Sequence, residues 1–412
     1  MHLQHLSLTN FRNYVRLELQ LPLGLNVVQG ENAQGKSNLL EAITYLATSR
    51  SPRTSSDAEL LNWAAVEEPY PYARLAAELQ RAGRNERVDI TLLPGKSNGR
   101  FRKQVRINGA PKRALDLVGR MLVVLFRPED VDLVSGAPSL RRRYLDMALC
   151  QMAPPYCRAL SQYNKHLSQR NALLRSLRER PQNVAEQLRY WDEKLAETGS
   201  LVIAKRQWLI NQIEAEASLR HLDLSGGYER LQLRYLPSFD PGHQPAREGA
   251  DYPSTNVLRE RGVSYQALSP DQVRASFLAH LHAGRARDLA AGMTLLGPHR
   301  DDLGFHLGGR NLRNYGSRGQ QRTAALASKL AEVAVMTQVA GEAPILLLDD
   351  VMSELDASRR AMVADTLLLA PQAIVTTTDW RHFDADPLAR ANRLRVHGGR
   401  LTVMTSDESI NA

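Results

Sequence analysis

Two segments near opposite ends of this chain have to meet in space. Gly30-Glu31-Asn32-Ala33-Gln34-Gly35-Lys36-Ser37 fits the pattern G-x-x-x-x-G-K-[ST], and Ile345-Leu346-Leu347-Leu348-Asp349-Asp350 is an aliphatic run closed by two carboxylates. A loop of the first kind leaves backbone N–H groups free to cradle phosphate at a helix N-terminus. Lys36 then supplies a point charge to the β- and γ-phosphates, and Ser37 offers a hydroxyl to Mg2+. The second segment puts Asp349 at the carboxyl edge of a buried strand, where ligands bind in open α/β sheets. There it can hold the Mg2+ hydration shell, with Asp350 beside it to orient or deprotonate an attacking water. Taken alone, Asp-Asp after a strand reads as a turn or helix cap; paired with the phosphate loop it reads as chemistry. So distant a pair requires one nucleotide-binding head split by a long insertion.

The local context suits the loop. Residues 25–29 read as a strand feeding into it and 37–46 as a helix leaving it, the order that the pattern needs. Residues 2–8 and 15–21 alternate apolar and polar, with a turn-like link at 10–14. Further alternating runs at 72–79, 87–93 and 101–107, with turn signals at Pro94-Gly95 and Asn108-Gly109, predict an antiparallel sheet beside the loop-bearing core. From residue 293 strands alternate with helices (helix 320–339, strand 344–349, helix 357–369, strand 373–377), then close in a pair around Gly398-Gly399. That alternation predicts a mostly parallel sheet.

Between these halves the texture is helical, starting at 130–150 with Ser139 as a cap. Tyr156, Leu160, Tyr163, Leu167, Leu174 and Leu177 follow a four-three spacing that Arg170 interrupts. Val184, Leu188, Trp191, Leu195, Thr198, Val202 and Leu209 repeat it beyond a turn at Arg180-Pro181-Gln182-Asn183. Such spacing marks a helix pair packed along a seam. The second run, 183–219, spans about 55 Å at about 1.5 Å per residue. A short antiparallel arm and an ordinary helical subdomain both fit. Residues 237–253 read as a linker and Ser269-Pro270-Asp271 as a helix entry. The expected division is 1–125 head, 126–292 helical arm or insertion, and 293–412 head.

Charge points to the partner. The chain of 412 residues carries a net +9, mostly arginine, which favours a polyanion held through phosphate contacts. Arg100, Arg102, Lys103, Arg106, Lys112 and Arg113 are candidate contacts, each also readable as a solvated side chain. Cys150 and Cys157 have neither metal-ligand spacing nor a disulfide framework, so a reducing cytoplasm is expected. The first residues lack the basic flank and apolar run of a signal peptide, and no stretch approaches the roughly 20 apolar residues of a membrane span.

A third piece is Ser317-Arg318-Gly319-Gln320-Gln321-Arg322, ahead of the helix at 320–339. A small hydroxyl residue and a glycine at a helix start make a second anion-binding terminus. It reads either as a serine-capped helix or as a cap for a nucleotide held by a second copy of the chain, since one phosphate does not need two cradles from one molecule.

The set resembles the SMC, Rad50 and RecF group of ATPases. Residues 30–37 look like a Walker A loop, 317–321 like an ABC-type signature, 345–350 like Walker B, and Ser353-Glu354-Leu355-Asp356 like the D-loop. Within the group, Leu8-Thr9-Asn10-Phe11-Arg12-Asn13-Tyr14, Arg127-Pro128-Glu129-Asp130, Arg141-Arg142-Arg143-Tyr144-Leu145-Asp146 and Gly297-Pro298-His299-Arg300-Asp301-Asp302 look like the RecF family. The resemblance implies an α/β fold, an ABC-type P-loop ATPase head of mixed sheet and helices interrupted by a helical arm. It implies ATP and Mg2+ as cofactors, with Asp350 and Lys36 catalytic. It further implies a homodimer on ATP binding, in which Ser317, Gly319 and Gln320 of one chain face the nucleotide of the other. DNA, both duplex and at single-strand gaps or junctions, with RecR and RecO as partners in loading RecA, is the implied setting, and no membrane is involved. Hydrolysis would release the DNA.

Three departures stand out. Asp350 occupies a place where many relatives carry glutamate, so hydrolysis is expected to be slow. The histidine expected after the strand at 373–375 is replaced by Thr376-Thr377-Thr378-Asp379, leaving open which threonine serves, with His382 read as a surface residue. No Q-loop glutamine is evident near 126–129. A cytosolic ABC-type subunit of a transporter and an ATP-dependent scaffold that does not hydrolyse are the competing readings.

Overall fold

The computed structural model describes residues 1–95, 101–242, 245, 268–383 and 385–404. The chain divides into two compact units, Met1–Asp130 with Glu332–Ala412, and Val131–Ala331.

In the first unit one six-stranded sheet runs β15-β14-β3-β13-β12-β8. Its strands are β3 (Gly24–Gln29), β8 (Val123–Phe126), β12 (Ile345–Asp349), β13 (Gln372–Thr377), β14 (Asn392–His397) and β15 (Arg400–Val403). All neighbours are parallel except β14 and β15, which form a hairpin over Gly398-Gly399, both at positive φ. Ile345 to Leu348 are almost fully buried, as a strand covered on both faces must be. Leu348 pairs with Val375 and Phe126, and Asp349 with Thr376, so β12 brings its acid to the same edge where β3, by way of Thr377↔Gln29, hands over to the glycine loop.

The second sheet is antiparallel, in the order β2-β1-β4-β5-β6-β7. It comprises β1 (His2–Phe11), β2 (Tyr14–Gln20), β4 (Ala73–Arg81), β5 (Arg84–Pro94), β6 (Phe101–Ile107) and β7 (Ala110–Lys112). Asn108-Gly109 turns β6 into β7 with both residues at positive φ, as the dipeptide predicts. The hairpin at Ala82-Gly83 carries no such signal at its first position. The helix Lys36–Thr48 packs against strands of both sheets and is buried on nearly every side. Leu39, Ile43 and Leu46 join Leu6, Leu75, Ile90, Leu347 and Ile374 in one core.

The second unit contains the seam that the spacing predicts. Helices Pro154–Glu179 and Val184–Leu224 pack along their length, the latter with 41 residues. Arg170 does not interrupt this interior. It is fully buried, with Nε on Asp192 at 2.7 Å and Nη1 on Asp288 at 2.6 Å. The expected return to the head at residue 293 lies inside this unit. β10 (Asp302–Leu307) pairs antiparallel with β9 (Leu231–Leu236), and Asp302 is bound by the buried Arg141 at 2.6 Å. The helix Arg318–Ala340 crosses the boundary between the units. Most of the expected linker lies outside the described residues. Its start is buried: Phe239 stacks on Phe277 with ring centroids 4.9 Å apart, and Ser238 N donates to Asp301.

Candidate nucleotide site

The phosphate loop is shaped by close packing. Ala33 has φ 66° and Gly35 φ 120°, both in the left-handed half of conformational space. A Cβ on Gly30 would lie 2.5 Å from Val396 O, and one on Gly35 would lie 2.7 Å from Asn13 Nδ2. The loop is clamped from both sheets. Asn13 Nδ2 donates to Gln34 O at 2.8 Å, Tyr14 OH to Gly35 O at 2.9 Å, and Gly398 N to Gln34 Oε1 at 2.6 Å. These buttresses explain locally what the Asn10–Tyr14 stretch contributes, which the sequence marks only by resemblance.

Lys36 is buried, and its Nζ donates to Gly30 O at 2.6 Å and Glu31 O at 3.0 Å. Burial draws its pKa below the ordinary lysine value, against the pull of Asp350 and Asp349. The ammonium is thus held at the mouth of the loop with both carboxylates in its field.

The two distant motifs meet here. Ser37 Oγ donates to Asp349 Oδ1 at 2.8 Å, and Thr376 Oγ1 donates to the same oxygen at 2.9 Å. Thr376 Oγ1 also accepts from Asp350 N at 3.0 Å. Of the three consecutive threonines at the end of β13, Thr376 is the one that touches the acid strand. Thr377 bonds Asp379 O at 2.8 Å and His382 Nδ1 at 3.1 Å, so His382 is half-buried and engaged rather than free at the surface. Asp350 sits at φ 51°, and its buried Oδ1 has no hydrogen-bond partner among the described residues. Strained backbone and unpartnered buried oxygens are features that cluster at functional sites.

Beside the loop lies a cleft of about 590 Å³ lined by Arg12, Asn13, Asn38, Arg53, Thr54 and Trp63, among others. Trp63 is 89% exposed although it is the largest side chain there. Arg12 is fixed by Glu41, with Nε on Oε2 at 2.9 Å and Nη2 on Oε1 at 2.8 Å. No spacing in the sequence announces this wall, because its members come from three separate segments.

The signature residues belong to the second unit. Ser317 is exposed at the start of its helix and forms a reciprocal cap: Gln320 N donates to Ser317 Oγ at 3.2 Å, and Ser317 N to Gln320 Oε1 at 2.9 Å. Gln320 Nε2 also donates to Glu229 at 2.6 Å, a partner the sequence does not reveal. Gly319 leaves open space, the nearest atom to a Cβ there being Ser317 Oγ at 3.8 Å.

The basic candidates separate. Arg102, Arg106 and Lys112 are exposed. Arg113 pairs with Asp116 at 3.1 Å, and Lys103 is engaged with Ser49 and Asp57. Arg100 lies outside the described residues.

The family model described as RecF/RecN/SMC N terminal domain matches residues 2–393. A DNA replication and repair protein RecF from Chloroflexus aggregans is 44% identical over 97% of this chain and 99% of its own. Its counterpart in Bacillus subtilis is 38% identical over 97% and 100%. The chain belongs to the RecF family. A solved structure of the recombination mediator protein RecF-ATPrS in the RecFOR pathway superposes with a TM-score of 0.81 at 32% identity, covering 98% of each chain. An SmcHead bound to the C-winged helix domain of ScpA shares the fold, with a TM-score of 0.51 at 15% identity. RecF membership therefore accounts for the P-loop head, and among the described residues no helix is long and apolar enough to cross a membrane.

Proposed function

We propose that this chain binds ATP with Mg2+, dimerises on it, and uses the dimer to hold DNA during replication and repair. The observation that carries the reading is the Ser37–Asp349–Thr376 triangle, which joins the phosphate loop to the acid strand through one carboxylate oxygen. Ser37 and Asp349 are hard oxygen donors side by side, and a Mg2+ that keeps waters and phosphate oxygens needs no more than one or two such groups from the protein. That cation would supply charge neutralisation between the β- and γ-phosphates. Gly30, whose N donates to Thr377 O, turns the chain into the loop; Glu31, Asn32, Ala33, Gln34 and Gly35 offer backbone N–H groups, Lys36 neutralises charge on the transferring phosphoryl group, and the cleft beside Trp63 takes the nucleoside end. Asp350 Oδ1 orients the attacking water and takes its proton.

Ser317, Gly319 and Gln320 of one copy close over the nucleotide of the other, and DNA release follows slow hydrolysis. A solved RecF relative belongs to the RecFOR pathway, which supports RecR and RecO as partners, and the setting is cytoplasmic.

The test is phosphate release with and without gapped duplex, joined to light scattering with a non-hydrolysable analogue. Lys36→Ala should lose nucleotide binding, and Asp350→Asn should bind but not turn over. Ser317→Arg should bind ATP as a monomer yet fail to dimerise. Undiminished dimerisation of Ser317→Arg would refute the shared site; full turnover by Asp350→Asn would refute the base.

A further inference from the structure

The segment 49–57 follows the phosphate-loop helix and carries Arg53 and Thr54 to the cleft. Both of its ends are held by one ammonium. Lys103, on β6, donates from Nζ to Ser49 O at 2.6 Å and pairs with Asp57 Oδ1 at 3.3 Å. The Tyr45 ring lies against it with its centroid 4.7 Å away, and Tyr45 OH donates to the same Asp57 oxygen at 2.8 Å. Ser49 caps the helix at φ 54°, a conformation that a non-glycine residue keeps only where its surroundings over-determine it.

Within the segment, Ser51 Oγ accepts from Arg53 N and Thr54 N, both at 3.0 Å, and donates to Glu41 at 2.5 Å. From Arg53 the contacts lead inward. Its Nη1 donates to Asn38 Oδ1 at 3.3 Å, Asn38 Nδ2 to Asn13 Oδ1 at 2.8 Å, and Asn13 Nδ2 to Gln34 O at 2.8 Å.

We propose that Lys103 is a positioning residue for the nucleotide, stapling both ends of segment 49–57 so that Arg53 faces the cleft beside the phosphate loop. This rests on reading that cleft as the nucleotide's, and it removes Lys103 from the surface that meets a polyanion. A compact ammonium, with three donors on a flexible stem, here meets a carbonyl, a carboxylate and a ring face at once. Burial lowers the Lys103 pKa while Asp57 opposes the shift, as expected of an interior staple and not of a solvated contact.

The experiment measures binding of a fluorescent ATP analogue to the full-length protein without DNA, and retention of duplex DNA at an analogue concentration that saturates every variant. Lys103→Met should weaken analogue binding by about tenfold, the scale of one lost charged hydrogen bond, and leave DNA retention unchanged. Asp57→Asn should act in the same direction by a smaller factor. Because Lys103 acts through Arg53, the double variant Lys103→Met with Arg53→Gln should bind no more weakly than Arg53→Gln alone; general loosening of the fold would multiply the two losses. Analogue binding at the wild-type level in Lys103→Met, multiplying losses in the double variant, or a fall in DNA retention alone would each overturn the proposal. If wild type fails to bind the analogue, or Lys36→Ala binds it equally, the nucleotide reading falls and this inference with it.

Discussion

The two units are held together by different chemistry. The interior of the head is mainly aliphatic, with Leu39, Ile43, Leu347 and Ile374 fully buried. The interior of the helical unit is crossed by buried ion pairs as well as lined by apolar side chains such as Leu195, Val202 and Ile203. Arg141 meets Asp302, Arg170 meets Asp192 and Asp288, and Arg206 meets Asp146 at 2.8 Å, each arginine almost wholly out of water. Tyr235 OH donates to the buried Asp301 at 2.5 Å in the same unit. Buried ion pairs contribute little net stability relative to apolar packing, because desolvation offsets their attraction, but breaking one partner leaves an uncompensated charge. The head therefore tolerates change by degrees, whereas the helical unit depends on pairs that are whole or lost.

That contrast can be broken by substitution. The largest effect should come from Arg170→Ala, which leaves Asp288 without its cation in the interior and Asp192 with Arg285 in place of two arginines. A loss of about 3–5 kcal/mol is expected, read from the urea midpoint of unfolding; a loss under about 1 kcal/mol would mean that the acids are relieved by other neighbours. Leu347→Ala in β12 should cost somewhat less, about 2–4 kcal/mol, through transfer and cavity terms. If it costs more than Arg170→Ala, the ranking of the two interiors is reversed.

A smaller effect concerns pH. Burial lowers the His299 pKa from its ordinary 6.5 to about 4, and Tyr163 OH lies 2.7 Å from its Nδ1. The folded state thus binds this proton less readily than the unfolded chain, so the contribution of His299 is fully present above about 6.5 and declines as pH falls towards about 4. The slope of stability against pH in that window should flatten in His299→Gln; an unchanged slope would assign it to other groups.

How far the sequence reached follows the same division. In the head, aliphatic runs, alternation, Asn108-Gly109 and the phosphate-loop pattern each have a local cause, and the strands and the loop helix lie where those causes put them. In the helical unit the four-three seam is legible, yet Arg170 reads as a flaw because its partners Asp192 and Asp288 come from other helices. β10 looks like part of the head because strand texture does not name its partner, and β9 claims it. At the site, residues 30–37, 349 and 350 are legible by pattern. Asn13, Thr376 and the cleft wall are not, since each acts through an atom contributed by a distant segment.

The sequence by itself determined the fold class and that the loop and the acid strand meet, because glycine, lysine and strand-end carboxylates carry their physical meaning locally. Only the tertiary structure decided which threonine steadies Asp349, that Arg170 is a hub, and that Lys103 turns inward to Ser49 and Asp57. Those choices depend on which hydrogen-bonding groups are buried together, and burial is a property of packing, not of neighbours along the chain.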